Sequence, residues 1–277
     1  MSAIRRGFDE QLRASGASQL PVEVAVFTSV DDPVTTKAFG SGPRRDFADR
    51  YTSYFHQRIL PHCGVPFDAY ALSDISDERL PSYRVYVFPN AFTLSDVRRA
   101  QIVERLRRDR ATAVWMYASG YYREDRGSVS NVVELTGCPV REHVRQQGCS
   151  PVRVFELDTS SGRMWRGNGF DSVYFPELPS AAELREALRC AGAHVWIETG
   201  DVLFAGRGYV TVHAAEAGEK TVRLPAPADV VEIYGHSAPR TDVTEFADCL
   251  EKGETRIYRL SFLSANELSQ KRKEPNE

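Results

Sequence analysis

Short runs of nearly continuous apolar residues constrain the fold of this chain more than any other sequence feature. They begin at residue 22 and alternate with segments of helical periodicity. A strand covered on both faces has such a run, whereas a strand with one solvated face alternates apolar and polar residues. The pattern therefore predicts a mostly parallel sheet between helices. The predicted strands are VEVAVFTS, PFDAYALSD, YRVYVFPN and TAVWMYAS, at 22–29, 66–74, 83–90 and 112–119.

Helices are predicted between and after these strands, at 44–62, 95–109, 128–135 and 181–190. In the second of them, Val97, Ala100, Val103 and Leu106 share one face. The opposite face is expected to be solvated, because its arginines are interspersed with acidic residues. Those arginines are Arg98, Arg99, Arg105, Arg107, Arg108 and Arg110. The order of strands and helices predicts a doubly wound, flavodoxin-like α/β sheet.

The pattern changes near residue 201. Short β-rich runs separated by Gly, Pro and Asp then follow one another, which predicts a small antiparallel β unit. The runs are GYVTVHAA, EKTVRLP, DVVEIYG and ETRIYRLSF. The predicted organisation is a leader over 1–20, an α/β domain over 21–200, a β domain over 201–262 and a disordered polar tail over 263–277.

Composition excludes several functional classes. With 277 residues, 42% of them hydrophobic, and a net charge of -3, the chain is expected to be globular and too acidic to bind nucleic acid or an anionic membrane. No apolar stretch approaches the length of a signal sequence or a membrane span, so a cytoplasmic location is expected. The five cysteines form no CxxC pair and the six histidines form no HxH or HExxH pair. Neither a metal nor a cofactor is therefore predicted.

The order and spacing of several segments resemble a known family. VEVAVFTS, GVPFDAYALSDI, LPSYRVYVFPNAFTLSD and TAVWMYASGYYRED resemble the amidotransferase-like α/β domain, known as the trimerisation domain, that follows the catalytic barrel in bacterial beta-galactosidases. VTVHAAEAGEKTVRLP and GETRIYRL look like the β tail after such a domain in large glycosidase-like proteins.

This resemblance implies a class I glutamine amidotransferase-like fold acting as an assembly module. The expected partners are further copies, as a dimer or trimer, or a glycosidase-like protein. A catalytic barrel needs about 250 residues, more than precede the first strand here, so galactosidase activity is not carried over. The chain is expected to be either a free-standing relative or a fragment of a larger protein.

Amidotransferases of this fold place a nucleophilic Cys at the turn after a central strand. That turn reads Tyr117-Ala118-Ser119-Gly120-Tyr121 here and contains no Cys, and Cys138 lies well downstream. The family's glutamine hydrolysis is therefore not expected. Ser119 is the one catalytic candidate, but its neighbours lack the small residues of a G-x-S-x-G turn. Its base would have to be His194 or His213.

Polar and aromatic residues collect where the predicted strands end, which is where ligands bind to open α/β sheets. Such side chains can hydrogen-bond hydroxyl groups and stack on a sugar, although strand ends are also polar simply because they meet loops and solvent. The leading prediction is therefore a non-catalytic accessory module, and the alternative is a carbohydrate or small-molecule binder or a vestigial hydrolase that uses this crevice. The candidate ligand-binding residues are Asp31, Asp32, Asp74, Asn90, Ser119, Tyr121, Tyr122, Arg123, Glu124 and Asp125.

Overall fold

The computed structural model describes residues 22–29, 50–124, 126–147, 150–158, 164–235 and 237–262. The chain divides into two compact units. The α/β unit comprises Glu23–Cys63 and Phe67–Ala193, and the β unit contains Gly64–Pro66 and the chain from His194 onward. The predicted leader and polar tail lie outside the described residues, as do Asp31, Asp32 and Asp125.

A six-stranded sheet forms the centre of the α/β unit. Its strand order is β2-β1-β3-β4-β10-β9, and all neighbours are parallel except β9, which pairs antiparallel with β10. The prediction of a mixed α/β fold with a mostly parallel sheet is thus confirmed. The strands are β1 (Val24–Thr28), β2 (Phe67–Ala71), β3 (Val85–Phe88), β4 (Thr112–Met116), β9 (Met164–Gly167) and β10 (Phe170–Phe175).

The central strands form because their side chains are buried on both faces of the sheet. All four residues of β3 and all five of β4 are buried. Phe88 stacks on Trp115 of β4 with ring centroids 4.6 Å apart. The indole N–H of Trp115 donates to the Ser172 hydroxyl of β10 at 3.1 Å, which satisfies both buried polar groups.

Three α-helices accompany this sheet: α1 (Asp96–Asp109), α2 (Val129–Thr136) and α3 (Ala181–Cys190). Serine caps begin them, as at Ser180, which exchanges hydrogen bonds with Glu183 in a capping box. The predicted helix at 44–62 is described only from residue 50. There a π-helix at Arg50–Ile59 buries Tyr51 and Phe55 and is followed by a 3-10 turn at Leu60–His62. None of the helices in the described ranges combines the length and apolar character that a bilayer crossing requires.

The buried face of α1 differs from the predicted one. Arg99, Ile102, Arg105 and Leu106 are buried, whereas Val97 is 67% exposed. The prediction of a wholly solvated arginine face was therefore wrong for Arg99 and Arg105. Arginine can be buried in this way when its five N–H groups meet carbonyl or carboxylate oxygens.

Arg105 is the centre of a buried polar network. Its guanidinium donates to the carbonyls of Asp77 and Leu80 at 3.1 and 3.2 Å, and its Nε lies 3.5 Å from the Asp109 carboxylate. Tyr86 of β3 donates its hydroxyl to the same carboxylate. Burial raises the pKa of Asp109, but hydrogen bonds from Arg108, Tyr86 and other neighbours outweigh that effect, so the pKa lies below its usual value. Asp109 therefore remains ionised opposite Arg105.

Two small hairpins complete the α/β unit. The first pairs β5 (Tyr122–Arg123) with β6 (Arg126–Gly127). The second pairs β7 (Val140–Gln147) with β8 (Ser150–Leu157) over eight residue pairs. Neither hairpin was predicted from the sequence.

The β unit is a five-stranded antiparallel sheet with the order β11-β12-β15-β13-β14. The predicted runs EKTVRLP and DVVEIYG are two halves of one long strand. Its register against β14 shifts between Arg223 and Ala228, where Pro225 and Pro227 cannot donate to the ladder. The strands are β11 (Val202–Gly206), β12 (Tyr209–His213), β13 (Gly218–Glu232), β14 (Arg240–Leu250) and β15 (Thr255–Phe262).

Alternating residues of these strands build the core of the β unit, which includes Val222, Phe246 and Tyr258. A buried ion pair, in which the Lys220 ammonium lies 3.0 Å from the Asp201 carboxylate, borders this core. Burial raises the pKa of Asp201, but hydrogen bonds from neighbouring groups, including Lys220, outweigh it and lower the pKa. Asp201 is therefore ionised at neutral pH.

We expect Arg105→Ala to lower the free energy of unfolding by about 2–3 kcal/mol, because the substitution leaves the carbonyls of Asp77 and Leu80 without their donor. Arg108→Ala is the matched control, since Arg108 binds the same carboxylate from an exposed position, and it should cost less than about 1 kcal/mol. Urea unfolding measures both. Equal stability of the Arg105→Ala and Arg108→Ala proteins would show that the buried network does not hold the helix.

Candidate functional site

The carboxyl ends of β1 and β3 meet where the strand order of the sheet reverses, which is the usual ligand crevice of an open α/β sheet. Ser29 follows β1 and Asn90 follows β3. The Asn90 amide accepts from the Ser29 N–H and donates to the Ser29 carbonyl, both at 2.8 Å. Asn90 is also buried. This predicted ligand residue thus joins the two strand ends.

A histidine that sequence reasoning did not select lies at the same edge of the sheet. The π-helix at Arg50–Ile59 carries His56, whose Nε2 lies 2.8 Å from the Thr28 hydroxyl at the end of β1. Burial lowers the pKa of His56, so the imidazole is neutral at physiological pH. The two residues are 28 positions apart, and no local sequence signal connects them.

Tyr117 occupies the turn directly after β4 with a φ of 52°, in the left-handed region that bulky residues rarely adopt. Its ring packs edge-on against Phe155 with centroids 4.9 Å apart, and its hydroxyl donates to the Arg153 carbonyl at 2.6 Å. Burial raises the pKa of this phenol. In nucleophile-elbow enzymes a strained position of this kind carries the attacking side chain. Here it carries a buried, neutral tyrosine.

Ser119 and Cys138, the two other residues considered at this turn, are also buried. Ser119 is fully buried, and its hydroxyl donates to the Met116 carbonyl at 2.9 Å. Burial raises the pKa of the Cys138 thiol to about 12, so it is protonated at neutral pH. The histidines considered as bases, His194 and His213, belong to the β unit. They hydrogen-bond there to the Arg223 carbonyl and the Thr255 hydroxyl, respectively.

The segment after Ser119 lies alongside the segment after β3. The Gly120 N–H donates to the Ala91 carbonyl at 2.7 Å, and the Tyr122 N–H donates to the Phe92 carbonyl at 3.0 Å. The structure therefore brings the predicted residues at 119–123 close to the segment that follows Asn90. Both segments are held by backbone hydrogen bonds.

Tyr121 is only 3% exposed, and protein groups surround its polar end. Its hydroxyl donates to the Glu142 carboxylate at 3.0 Å and accepts from Arg153 at 2.9 Å. A Cβ on Gly127 would lie 2.3 Å from the Tyr121 ring, so the neighbouring strand packs directly on it. Tyr122 is half-buried and meets Tyr121 edge-on at 5.0 Å. The Tyr121 ring therefore offers no open platform for a ligand.

The remaining predicted residues are more exposed. Arg123 bridges the carboxylates of Asp96 at the start of α1 and Glu134 in α2. Glu124 is exposed with a φ of 54°, and Asp74 is exposed and accepts from the Ser73 hydroxyl at 3.2 Å. Within the part of the chain that the structure describes, no three His, Cys, Asp or Glu side chains are grouped to hold a metal ion.

The fold and these contacts define a mixed α/β protein with a six-stranded, mostly parallel sheet and a separate antiparallel β unit. No family model matches the chain, and no curated protein matches it either. Solved structures of GH42 beta-galactosidases do share its fold, at low sequence identity.

One such structure is a GH42 beta-galactosidase from G. stearothermophilus, with a TM-score of 0.56 and 15% identity over 88% of this chain and 41% of that chain. A second is a beta-galactosidase from Bacillus circulans sp. alkalophilus, with a TM-score of 0.57 and 14% identity over 87% of this chain and 41% of that one. A third is a beta-galactosidase from Halorubrum lacusprofundi, with a TM-score of 0.57 and 12% identity over 90% of this chain and 41% of that one. The chain thus spans about two fifths of the length of these proteins, and its fold occurs within them.

We expect Asn90→Ala to destabilise the α/β unit by about 1–3 kcal/mol, because it leaves the N–H and carbonyl of Ser29 without their partner. Ser73→Ala is the control. It also removes a polar group near the end of a sheet strand, but from an exposed position, and should change stability by less than about 0.5 kcal/mol. Chemical denaturation measures both. An Asn90→Ala protein as stable as the parent would mean that the amide does not join β1 to β3.

Proposed function

We propose that this chain is a non-catalytic assembly or accessory module related to the trimerisation domains of beta-galactosidases and the β tail that follows them. The observation that carries the proposal is the turn after β4. A hydrolase or amidotransferase of this fold needs a reactive side chain there, and the position is filled by Tyr117, whose ring is buried and whose hydroxyl is already donating.

Neighbouring groups do not replace the missing nucleophile. Attack by serine requires an exposed hydroxyl beside a base, and attack by cysteine requires the thiolate. Ser119 is fully buried with its proton directed to a backbone carbonyl, and Cys138 has a raised pKa. These features support a module without hydrolytic chemistry.

The sheet supports the finer fold assignment. The five parallel strands follow one another across the sheet as second, first, third, fourth and fifth in the chain, which is the order of flavodoxin-like folds. We therefore assign the α/β unit to the flavodoxin-like, class I amidotransferase-like group. A cytoplasmic location remains a prediction from the sequence.

The likeness to beta-galactosidase structures supports the relation to glycosidases. A glycosidase barrel has eight parallel strands in about 250 residues. The described strands form open sheets of six, five, two and two strands and no such barrel. The chain therefore corresponds, in this proposal, to the part of those proteins outside a barrel.

Exposed apolar side chains on two helices support an assembly role. Val97 of α1 and Val133 of α2 are both exposed. They adjoin Asp96 and Glu134, whose carboxylates share the Arg123 guanidinium, so the two helices lie side by side at this point. Exposed apolar side chains beside charged groups are suited to a contact with a second copy. The carbohydrate crevice at 119–125 has less support, because Tyr121 is buried.

We expect light scattering after size exclusion to give a dimer or trimer of the 31.1 kDa chain over a wide concentration range. Replacing Val97 and Val133 together by Arg should shift the mass toward the monomer, because two charges would be buried at the contact. Val144→Arg, at an exposed valine of the β7–β8 hairpin, is the matched control and should leave the mass unchanged. A monomeric parent at every concentration would remove the assembly proposal.

We expect a fluorophosphonate probe, which labels activated serines, to leave the chain unmodified, because the Ser119 hydroxyl is buried and bonded. Intact-mass spectrometry of the parent and of Ser119→Ala provides the measurement. Labelling of the parent that disappears in Ser119→Ala would establish an active serine and overturn the non-catalytic proposal.

A further inference from the structure

An open concavity of about 490 Å³ lies within the β unit, between the turn after β13 and the beginning of β15. Its volume is within the usual range for small-molecule sites. The side chains that give it chemical character are Glu232, Tyr234, Glu254 and Arg256. They form a set that the sequence did not single out.

Tyr234 provides an aromatic surface at this concavity. The side chain is 84% exposed, and it makes no ring contact or hydrogen bond with any described residue. Ile233 beside it is also exposed. An exposed aromatic ring next to polar groups offers an apolar face together with a hydroxyl at its edge. Such a ring can stack on the C–H face of a sugar.

Glu232 provides a hydrogen-bond acceptor that the protein does not use. Its side chain is only 8% exposed, and its ion pair is with the Arg256 Nε at 3.7 Å. It accepts no hydrogen bond from the described residues. A Cβ on Gly235 would lie 2.1 Å from the carboxyl group, so the turn backbone rests directly against it. A carboxylate can accept several hydrogen bonds, so Glu232 retains acceptor positions for a ligand.

Arg256 is held in place beside Glu232. Its Nε donates to the Glu254 carboxylate at 2.8 Å, and its Nη2 donates to the Cys249 carbonyl at 3.1 Å. Its Nη1 lies 3.6 Å from the Asp248 carboxylate. These contacts fix the guanidinium but do not use all five of its N–H groups as donors.

The lining of the concavity carries charges of both signs, because one guanidinium faces the carboxylates of Glu232 and Glu254. A cationic ligand would meet Arg256, and an anionic ligand would meet both carboxylates. A neutral ligand rich in hydroxyl groups could donate to Glu232, accept from Arg256 and stack on Tyr234. The lining therefore favours such a ligand.

We propose that this concavity is a saccharide-binding site, in which a pyranose ring stacks on Tyr234 and its hydroxyl groups donate to Glu232 and accept from Arg256. The site lies entirely within the β unit. It does not rest on the assembly role proposed above and can be tested separately.

The experiment titrates the full chain with galactose, glucose, mannose, lactose and cellobiose and follows binding by saturation-transfer NMR and calorimetry. We expect at least one of these sugars to bind, and Tyr234→Ala to lower its affinity about tenfold or more, since the stacking surface is lost. Glu232→Gln should lower the affinity several-fold, because the amide is a weaker acceptor than the carboxylate.

Phe204→Ala is the matched control, because Phe204 is a half-exposed aromatic residue of β11 in the same unit, outside the concavity. It should bind the sugar as the parent does. The Tyr234→Ala protein should retain the parent's solution mass, which separates this test from that of assembly.

Three results would overturn the saccharide site. One is that none of the five sugars binds, and another is that binding is unaffected by Tyr234→Ala. The third is binding of a lysine-rich peptide instead of any sugar, with an affinity that falls between about 0.05 and 0.5 M salt, since screening weakens the attraction of a cation for Glu232 and Glu254. That last result would assign the concavity to a cationic ligand.

Discussion

Two buried guanidinium groups on one helix hold the loops at both ends of the parallel sheet. Arg99 of α1 donates to the carbonyls of Gly120 and Asn131, in the region that follows β4. Two turns further along the helix, Arg105 donates to carbonyls within 77–81, in the loop that leads into β3. Buried loop carbonyls need donors, and a buried arginine can serve several at once. The shape of the loops, and hence of the crevice, depends on this helix face.

The strands that could be predicted from the sequence are those with an unbroken apolar run. β3 and β4 meet that condition because both faces of the sheet are covered around them. β10 was missed although it also lies between two strands of the sheet, because Asp171 and Ser172 interrupt its apolar pattern. The Ser172 hydroxyl is buried only because the Trp115 indole, 57 residues earlier, supplies a donor. A polar residue satisfied by so distant a partner cannot be distinguished locally from a loop residue.

The sequence predicted where the candidate crevice lies in the sheet, but not which contacts its residues make. The sequence correctly indicated that Asn90 and Tyr121 follow sheet strands, since both come directly after apolar runs. It could not indicate that Asn90 bonds to Ser29, 61 residues away, or that Tyr121 bonds to Arg153, 32 residues away. The left-handed turn at Tyr117 could not be predicted for a different reason. Gly or Asn normally occupies that backbone conformation, so a Tyr does not indicate it. For Asn90 and Tyr121, what the sequence does not show is the hydrogen-bond partner, which the tertiary fold supplies.

The side chains around Tyr121 and those around Tyr234 show why residue type alone does not locate a binding site. Each group combines a tyrosine, a glutamate and an arginine. In the α/β unit, the Tyr121 hydroxyl bonds to both Glu142 and Arg153, so the three side chains satisfy one another and the ring is buried. In the β unit, Tyr234 is exposed and its neighbouring glutamate accepts no hydrogen bond from the described residues. A ligand gains binding free energy from polar groups that the fold holds in place but that have no hydrogen-bond partner within the protein. Binding to such groups breaks no internal hydrogen bond. By that criterion the β unit, rather than the strand ends, holds the better binding site.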